Sequence, residues 1–316
     1  MRFLRRVYSP HIHQSLSWLR SNISAINVTA TAPLQLHPTP LDPNDHAVVS
    51  SLYTDTYITA ITTLGYSLKV ANVSARMILI YMPDRLSPRT MCLATAAGWT
   101  LHPVSYIPPP HGGKGVHFQY TDQYTKLNIW TLDKIGIKSL VYLDADTLVR
   151  KNFDELFSLP FNFGAVPDVF MGYRGFTIAF NAGVLFLRPN TAVFEDMIEK
   201  LETAVYPPVM AEQAFLNVYF GSQVSRLPYA YNANLAAKQR NTKLWETMED
   251  DIRILHYTLH KPFPRWGLGS TETLKQFFRG RLTMENGFWA KEMSWWQETW
   301  REMAIAMQRE PRCSQS

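Results

Sequence analysis

Two acidic residues, Asp144 and Asp146, have the spacing and the setting of a metal site. They follow directly after the apolar run 139–143, which is typical of a fully buried strand. Two carboxylates this close together repel each other unless a cation or a proton lies between them. A divalent ion that bridges to a diphosphate would remove that repulsion. An isolated Asp-x-Asp triplet is more often a solvated turn, but the buried strand before it favours the metal site here.

The segment that contains His256 and Lys261 offers the remaining groups of such a site. His256 lies at the end of the apolar run 252–257. A neutral imidazole and two carboxylates form a ligand set suited to Mn²⁺, with Mg²⁺ as the alternative ion and positions left open for phosphate oxygens. Lys261 follows five residues later and is able to reach those phosphates as a point charge. A single histidine is otherwise most often a satisfied core residue, so this prediction depends on the acids and the imidazole meeting in the fold.

The hydrophobic pattern predicts an α/β fold that would bring these residues together. Apolar runs and amphipathic segments alternate along the chain, which favours a parallel sheet with helices on both faces. The predicted strands are 47–52, 77–81, 99–107, 139–143, 179–187 and 252–257. The predicted helices are 56–71, 88–97, 124–135, 189–205 and 212–220. Ligands of open α/β sheets bind beyond the carboxyl ends of the strands, where Asp144 would lie.

The chain divides into three predicted regions. Residues 1–45 include a proline-rich stretch and are expected to form a poorly ordered extension. Residues 46–282 are expected to form one α/β domain. Residues 283–316 are expected to form a tryptophan-rich helical tail that packs on this domain through four side chains with helical spacing, namely Trp289, Trp295, Trp296 and Trp300.

The composition indicates a folded protein without a membrane span. Of the 316 residues, 46% are hydrophobic and 18% are charged, which is typical of a chain with a sizeable core. The net charge of +5 favours solubility over any particular partner, and we expect no nucleic-acid partner. No apolar run reaches the roughly 18 residues that cross a bilayer. The N-terminus also lacks the apolar region of a signal peptide.

The two cysteines, Cys92 and Cys313, are far apart and lack the spacing of a metal site. We therefore expect neither a disulfide framework nor a cysteine zinc site. This usage favours a reducing compartment, and together with the absent signal peptide it predicts a cytoplasmic location.

Seven motifs over about residues 47–263 resemble one known family. In chain order they are Tyr53-Thr54-Asp55-x-Tyr57, Tyr124-Thr125-Lys126-Leu127, Leu143-Asp144-Ala145-Asp146-Thr147, Pro167-Asp168, Phe180-Asn181-Ala182-Gly183-Val184, Glu212-Gln213-x-x-Leu216-Asn217 and the segment 256–262. In this order they resemble glycosyltransferase family 8, which includes glycogenin-like and galactinol-synthase-like proteins. The resemblance implies the GT-A nucleotide-diphospho-sugar transferase fold, a mostly parallel, Rossmann-like sheet with helices on both faces.

The resemblance also implies a reaction and a role for each matching residue. The reaction would be a Mn²⁺-dependent, retaining transfer of a hexose from a UDP-hexose. The metal ligands would be Asp144, Asp146 and His256. The uridine would be bound by Ser51, Tyr53, Thr54 and Tyr57. The diphosphate and the metal-binding turn would involve Ala145 and Lys261. The donor sugar would be held by Lys126, Asp168, Asn181 and Gln213. The catalytic candidates beside the anomeric carbon are Asp168, Glu212 and Gln213.

Departures from the family pattern bear on the acceptor. Glu212 replaces a usual aspartate, Val209 replaces a further acid of glycogenin, and Thr258 and Leu259 stand where a glycine usually approaches the phosphates. Glycogenin also glucosylates a tyrosine of its own, but residues 232–256 contain no tyrosine. The resemblance therefore implies a separate carbohydrate or polyol acceptor, and a homodimer is a further expectation.

Two other functions remain open at this point. A relative that binds a nucleotide sugar without turnover would account for Val209 and for the missing glycine. Phosphatases of the haloacid-dehalogenase type contain a similar Asp-x-Asp-Thr segment, in which Asp144 would attack phosphorus with the help of Mg²⁺. That motif normally follows the first strand of its fold, whereas here three predicted strands precede the strand that it follows.

Overall fold

The computed structural model describes residues 42–264, 271–308 and 313. Its strands, in chain order, are β1 His46–Leu52, β2 Arg76–Tyr81, β3 Thr100–Pro103, β4 Ser139–Leu143, β5 Thr147–Val149, β6 Phe163–Val169, β7 Phe176–Leu187, β8 Ser225–Arg226, β9 Ala233–Asn234 and β10 Ile254–His256. Seven of these form a central sheet in the order β3-β2-β1-β4-β7-β6-β8, and the other three form a small sheet in the order β5-β10-β9.

The central sheet is mostly parallel, as the sequence predicts. β1 pairs in parallel with both β2 and β4, and β2 pairs in parallel with β3. β7 is antiparallel to both of its neighbours, β4 and β6. β4 therefore ends at the switch between the parallel and the antiparallel parts of the sheet. The carboxyl end of β4, where Asp144 stands, opens into the space beyond the sheet.

Helices cover both faces of this sheet, which confirms the predicted α/β class. The α-helices are α1 Ile58–Val70, α2 Pro88–Ala96, α3 Thr191–Leu201, α4 Ala211–Phe220, α5 Leu235–Arg240, α6 Thr242–Met248, α7 Thr271–Thr283 and α8 Ala290–Gln308. A long 3-10 helix spans Gln123–Ile135. One face of the sheet packs against α1 and α2, and the other packs against the 3-10 helix, α3 and α4. Short polar residues begin two of the helices, because the side chains of Ser87 and Asn190 accept hydrogen bonds from the first turns of α2 and α3.

Several predicted elements differ in extent from those observed. The third strand ends at Pro103 instead of residue 107, and the last strand is the short β10, which belongs to the small sheet. Sequence patterning does not reveal β6, because Gly164, Pro167 and Asp168 interrupt its apolar pattern. The register between β6 and β7 shifts on either side of Pro167, and a bulge of this kind accommodates a proline within a sheet.

The C-terminal helices pack on the domain beside the small sheet. Trp289, Met293 and Trp296 belong to a buried cluster that also contains Trp245 and Phe263. The hydroxyl group of the buried Tyr257 donates a hydrogen bond to the carbonyl oxygen of Glu292 in α8. The segment that follows His256 is therefore bonded to α8. Of the predicted N-terminal extension, residues 1–41 lie outside the described residues. No helix within 42–264 or 271–308 combines the length and the apolar character needed to cross a membrane.

The two cysteines, for which no disulfide framework was expected, are bonded to each other. Cys92 in α2 and Cys313 form a disulfide, with Cα atoms 5.7 Å apart and a sequence separation of 221. Spacing along the chain does not reveal this pairing, because the return of the C-terminal segment to α2 is decided by tertiary packing. Disulfides persist mainly in oxidising compartments, so the cysteines no longer favour a reducing one.

Replacement of Cys313 by serine should lower the free energy of unfolding. The disulfide closes a very long loop, for which chain entropy predicts a loss of about 2–5 kcal/mol when the bond is removed. Urea denaturation followed by circular dichroism measures this loss. The Cys92→Ser/Cys313→Ser double variant should lose no more than either single variant, because each one removes the same bond. Additive losses would show that the thiols contribute separately and that no bond joins them.

Candidate active site

Asp144 and Asp146 lie on the tight turn between β4 and β5. The turn is held by its own backbone, since the carbonyl oxygen of Asp144 accepts hydrogen bonds from the amide and from the hydroxyl group of Thr147. The amide of Asp144 donates to the carbonyl oxygen of Gly183 at 2.8 Å, and the amide of Tyr257 donates to that of Asp146 at 3.0 Å. The strands β7 and β10 therefore fix both ends of the acidic turn.

The fold brings His256 to this turn, as the sequence analysis requires. β10 pairs antiparallel with β5 so that His256 lies opposite Thr147. The imidazole Nε2 of His256 lies 3.2 Å from Oδ1 of Asp146. One ligand atom from each of Asp144, Asp146 and His256 lies within 4.8 Å of the other two. This spacing is short enough for all three to reach one divalent ion.

Hydrogen bonds behind His256 set its tautomer. The amide of Asn232 donates through Nδ2 to Oδ1 of Asn181, which also accepts the backbone N–H of Gly183. Oδ1 of Asn232 therefore faces Nδ1 of His256 at 3.0 Å, and Nδ1 is the nitrogen that carries the proton. The lone pair of Nε2 is left to face the acids. Metal-binding histidines are commonly oriented in this way by a partner on the other nitrogen, so the site fits a divalent cation.

Gly183 leaves the room that the His256 ring occupies. A Cβ atom at position 183 would lie 2.1 Å from Cε1 of His256 and 2.8 Å from its Nδ1. No side chain fits at these distances, and the backbone of Gly183 is held from both sides by Asp144 and Asn181. The ring would have to move away from the acidic turn.

We expect Gly183→Ala to weaken metal binding by about 10–100-fold, the usual cost of disturbing the support of a ligand. Calorimetric titration with Mn²⁺ measures the change. Gly164→Ala serves as the matched control on the neighbouring strand β6, because its Cβ would meet Leu227 at an ordinary 3.4 Å. Equal Mn²⁺ affinities of the two variants would contradict the proposed contact with His256.

Lys126 does not line the cleft where the donor sugar was expected. Its side chain is 1% exposed, and its Nζ lies 2.7 Å from Oε1 of Glu212 and 3.1 Å from Oδ1 of Asp144. A further hydrogen bond runs to the carbonyl oxygen of Ala182 at 3.3 Å. Burial alone would lower the pKa of Lys126, but the two carboxylates raise it above its usual value. Lys126 is thus a permanently charged bridge beneath the site.

Asp146 is also held in its ionised form. Burial would raise its pKa, but the adjacent Lys261 and His256 lower the pKa far below the usual range. The ammonium group of Lys261 donates to Oδ2 of Asp146 and, at 2.7 Å, to the carbonyl oxygen of Tyr257. Lys261 therefore presents its charge at the same turn as the candidate metal ligands.

Asp168, at the end of β6, is the centre of an amide network. It is 4% exposed, and its carboxylate accepts four N–H donors but contacts no cation within the part of the chain that the structure describes. Three of the donors bond to Oδ1, and the fourth, Nε2 of Gln213, bonds to Oδ2 at 2.9 Å. The three are the amide of Val169 and the side chains of Asn181 and Asn234. Burial raises the pKa of Asp168 despite these donors.

A polar chain of Ser51, Tyr142 and Asp144 leads from the other side of the site. The hydroxyl groups of Ser51 and Tyr142 are 2.8 Å apart, and that of Tyr142 donates to Oδ1 of Asp144 at 2.9 Å. The neighbouring hydroxyl group of Tyr53 is buried and has no hydrogen-bond partner within the described part of the chain. The ring of Tyr57 packs edge-on against Phe263 at 5.5 Å.

Most of these groups surround a cleft of about 970 Å³, although Lys126, Tyr142, Gly183, Asn232 and Phe263 do not line it. The lining contains every other residue named for the site by sequence, which are Ser51, Tyr53, Thr54, Tyr57, Asp144, Ala145, Asp146, Asp168, Asn181, Glu212, Gln213, His256 and Lys261. The volume is large enough for a nucleotide sugar, since small-molecule pockets span about 300–1,000 Å³. The lining also contains apolar and basic side chains, namely Phe118, Met171 and Arg174.

Comparison with known proteins points to one family. Residues 116–267 match the sequence profile of Glycosyl transferase family 8. This match, over just under half of the chain, and the relatives below support a glycogenin-like glycosyltransferase of family 8. The chain is 28% identical to glycogenin of Neurospora crassa over 71% of this chain and 32% of that protein. It is 27% identical to inositol phosphorylceramide glucuronosyltransferase 1 of Arabidopsis thaliana over 70% of this chain and 43% of the relative. The chain thus spans less than half the length of these two relatives.

Other members of the family match in length as well. Galactinol synthase 6 of Arabidopsis thaliana is 26% identical, with 68% of this chain and 71% of the relative aligned. Two solved structures support the GT-A fold. The bifunctional glycosyltransferase WbbM has a TM-score of 0.51 at 17% identity, with 83% of this chain and 53% of that chain covered. The galactosyltransferase LgtC has a TM-score of 0.50 at 19% identity, with 73% of this chain and 94% of that chain covered.

The hydrogen bonds of the site include two residues that the sequence pattern did not single out. Asn232 and Asn234 both contact residues of the site, yet neither was chosen as a candidate. Their spacing repeats that of Asp144 and Asp146, with two polar side chains on one side of a short strand. The family match gives no support to the phosphatase interpretation of Asp144, which is paired here with a buried lysine.

Proposed function

We propose that the protein is a Mn²⁺-dependent, retaining glycosyltransferase that moves a hexose from a UDP-hexose to a separate acceptor. The observation that carries this proposal is the convergence of Asp144, Asp146 and His256, with Asp168 of β6 in the lining of the same cleft. Cleavage of a sugar–diphosphate bond places negative charge on the diphosphate and positive charge on the sugar. A metal site and an acidic site in one cleft would stabilise both charges.

The two acids and the imidazole would hold the metal ion. A divalent ion bound there would stabilise the negative charge that develops on the departing diphosphate. Oxygen-rich sites with one imidazole suit Mn²⁺, and Mg²⁺ is the alternative. The remaining positive charge comes from Lys261, whose ammonium group lines the cleft at the same turn.

Asp168 is the best candidate for the positive charge that develops on the sugar ring. The other candidate acid, Glu212, is neutralised by Lys126 at 2.7 Å, whereas Asp168 accepts only neutral N–H donors. Gln213 contributes to positioning, because Nε2 donates to Asp168 and Oε1 accepts the amide of Ala182. Of the two acids, Asp168 is therefore the one not already bonded to a cation among the described residues.

The nucleoside would occupy the end of the cleft formed by Ser51, Tyr53, Thr54 and Tyr57. The buried hydroxyl group of Tyr53 lacks a partner within the described residues, and a polar group of the donor would satisfy it. Tyr57 offers an aromatic surface that is supported by Phe263.

The acceptor is expected to be a separate carbohydrate or polyol. The relatives include galactinol synthases and glucuronosyltransferases, whose names describe transfer to other molecules. A homodimer and a cytoplasmic location stay predictions, and the disulfide between Cys92 and Cys313 makes an oxidising compartment the competing location.

A donor screen tests the proposal. A panel of UDP-sugars and of non-uridine nucleotide sugars is added with Mn²⁺, and thermal shift and release of the nucleotide are measured with and without EDTA. We expect a shift and UDP release with at least one UDP-hexose, both abolished by EDTA. Binding without release, with any acceptor or with water, would favour the non-catalytic alternative. No Mn²⁺-dependent shift with any UDP-sugar would refute the proposal.

A further inference from the structure

The mouth of the cleft is bordered by exposed apolar side chains from three segments. Phe118 and Tyr120 precede the 3-10 helix, Met171 belongs to the turn between β6 and β7, and Val209 precedes α4. All four line the cleft. The next exposed side chain of the turn, Tyr173, is 99% exposed and lies outside the cleft lining. Folded proteins rarely expose several large apolar groups around one opening without a partner for them.

The β6–β7 hairpin extends this apolar surface away from the cleft. Phe176 and Ile178 alternate with less exposed residues along β7, so both lie on one face of the strand. Ile178 is 86% exposed. We call Met171, Tyr173, Phe176 and Ile178 the hairpin patch. The hairpin is firmly closed, because the amide of Phe170 donates to the carbonyl oxygen of Gly175 at 2.8 Å.

Three arginines surround the hairpin patch. The guanidinium group of Arg174 lies 3.6 Å from the ring centre of Phe170, and that of Arg226 donates to the carbonyl oxygen of Ile178 at 3.0 Å. Arg240 donates to the carbonyl oxygen of Met171 at 3.4 Å. All three side chains belong to exposed residues, and none forms an ion pair within the described part of the chain. The surface is therefore apolar at its tips and positive around them.

We propose that the hairpin patch and its three arginines dock on a bilayer surface that contains anionic lipids. Apolar tips enter the interfacial region, where tyrosine is favoured, and arginines bind the phosphates and the negative surface potential. The apolar residues protrude singly from a hairpin instead of forming the flat, continuous area of a stable protein interface. Because Met171 and Arg174 belong to both the hairpin and the cleft lining, docking would turn the cleft towards acceptors at the membrane surface. This inference does not depend on the donor or the metal ion.

Flotation with lipid vesicles tests the inference on the full chain. We expect the protein to bind vesicles of phosphatidylcholine with phosphatidylserine, less so as salt rises and least with phosphatidylcholine alone. Tyr173→Ser/Ile178→Ser should reduce binding about tenfold or more, since both apolar tips are lost. Arg226→Gln/Arg240→Gln should reduce binding to anionic vesicles by about fivefold for each arginine. None of these four residues lines the cleft.

Val70→Ser/Ile305→Ser is the matched control, because it also removes two exposed apolar side chains but on α1 and α8. Circular dichroism confirms that each variant is folded. The inference is overturned if the unaltered protein does not float with anionic vesicles. It is also overturned if the control variant loses as much binding as the hairpin variant. Loss of a dimer in the hairpin variant, without vesicle binding by the parent, would assign the patch to a second copy of the chain.

Discussion

Asp146→Asn should lower the rate of sugar transfer by about 10²–10³-fold or more, the usual loss when a group that stabilises transition-state charge is removed. Asp146 is chosen among the three candidate ligands because its two carboxylate oxygens contact different groups of the site, His256 and Lys261. The variant keeps the shape of the side chain but loses the negative charge that lies beside His256 and Lys261. Initial rates of UDP release at saturating Mn²⁺, with Mn²⁺ affinity from calorimetry, measure the effect.

The matched control for this variant is Asp84→Asn, which removes the charge of an exposed aspartate outside the cleft. The control should retain the turnover of the parent protein. Unfolding curves for both variants separate a loss of chemistry from a loss of structure. Near-normal turnover of Asp146→Asn, with unchanged Mn²⁺ affinity, would remove the metal assignment from this turn.

Lys126→Met should destabilise the protein by about 3–5 kcal/mol, the usual cost of leaving a buried charge without its partner. The ammonium group is fully enclosed and balances Glu212 and Asp144, so its removal strands two carboxylates around an apolar side chain. Urea denaturation measures the loss. Turnover of the folded fraction should fall as well, because Asp144 loses the cation that orients it.

A second replacement separates charge balance from packing. In Lys126→Met/Glu212→Gln one of the two stranded carboxylates becomes neutral, so we expect part of the lost stability to return. Lys138→Met serves as the control, because its ammonium group is exposed and bonds to Asp45 at the surface, and its unfolding curve should hardly change. A Lys126→Met variant that matches Lys138→Met in stability would show that the buried bridge is dispensable.

Residues on one continuous element were predicted well from the sequence. The acidic pair on the turn after β4 follows from an apolar run that ends in two acids, and β1, β2, β4 and β7 have bounds close to those expected. Their side-chain patterns are local, since burial on both faces leaves an uninterrupted apolar run. The order of motifs along the chain then identified the family, although no single motif is specific.

Contacts between distant segments were not predicted from the sequence. The role of Lys126 at the donor sugar stays a prediction, but its observed partners are two acids that are 18 and 86 residues away in sequence. Asn232 was not chosen at all, because its function is to orient His256 through a hydrogen bond across strands. Burial and hydrogen-bond partners of this kind have no periodicity that a sequence window detects.

The sequence by itself determined the α/β class, the acids and the imidazole that form the candidate metal site, and the family that the chain resembles. Only the tertiary structure decided that Lys126 neutralises Glu212 while Asp168 has no cationic partner among the described residues, that Gly183 makes room for the His256 ring, and that Cys92 meets Cys313. The physical reason is that hydrophobic periodicity records which face of an element is buried. Charge pairing, steric fit and disulfide formation depend instead on distances between segments that meet only after the chain has packed.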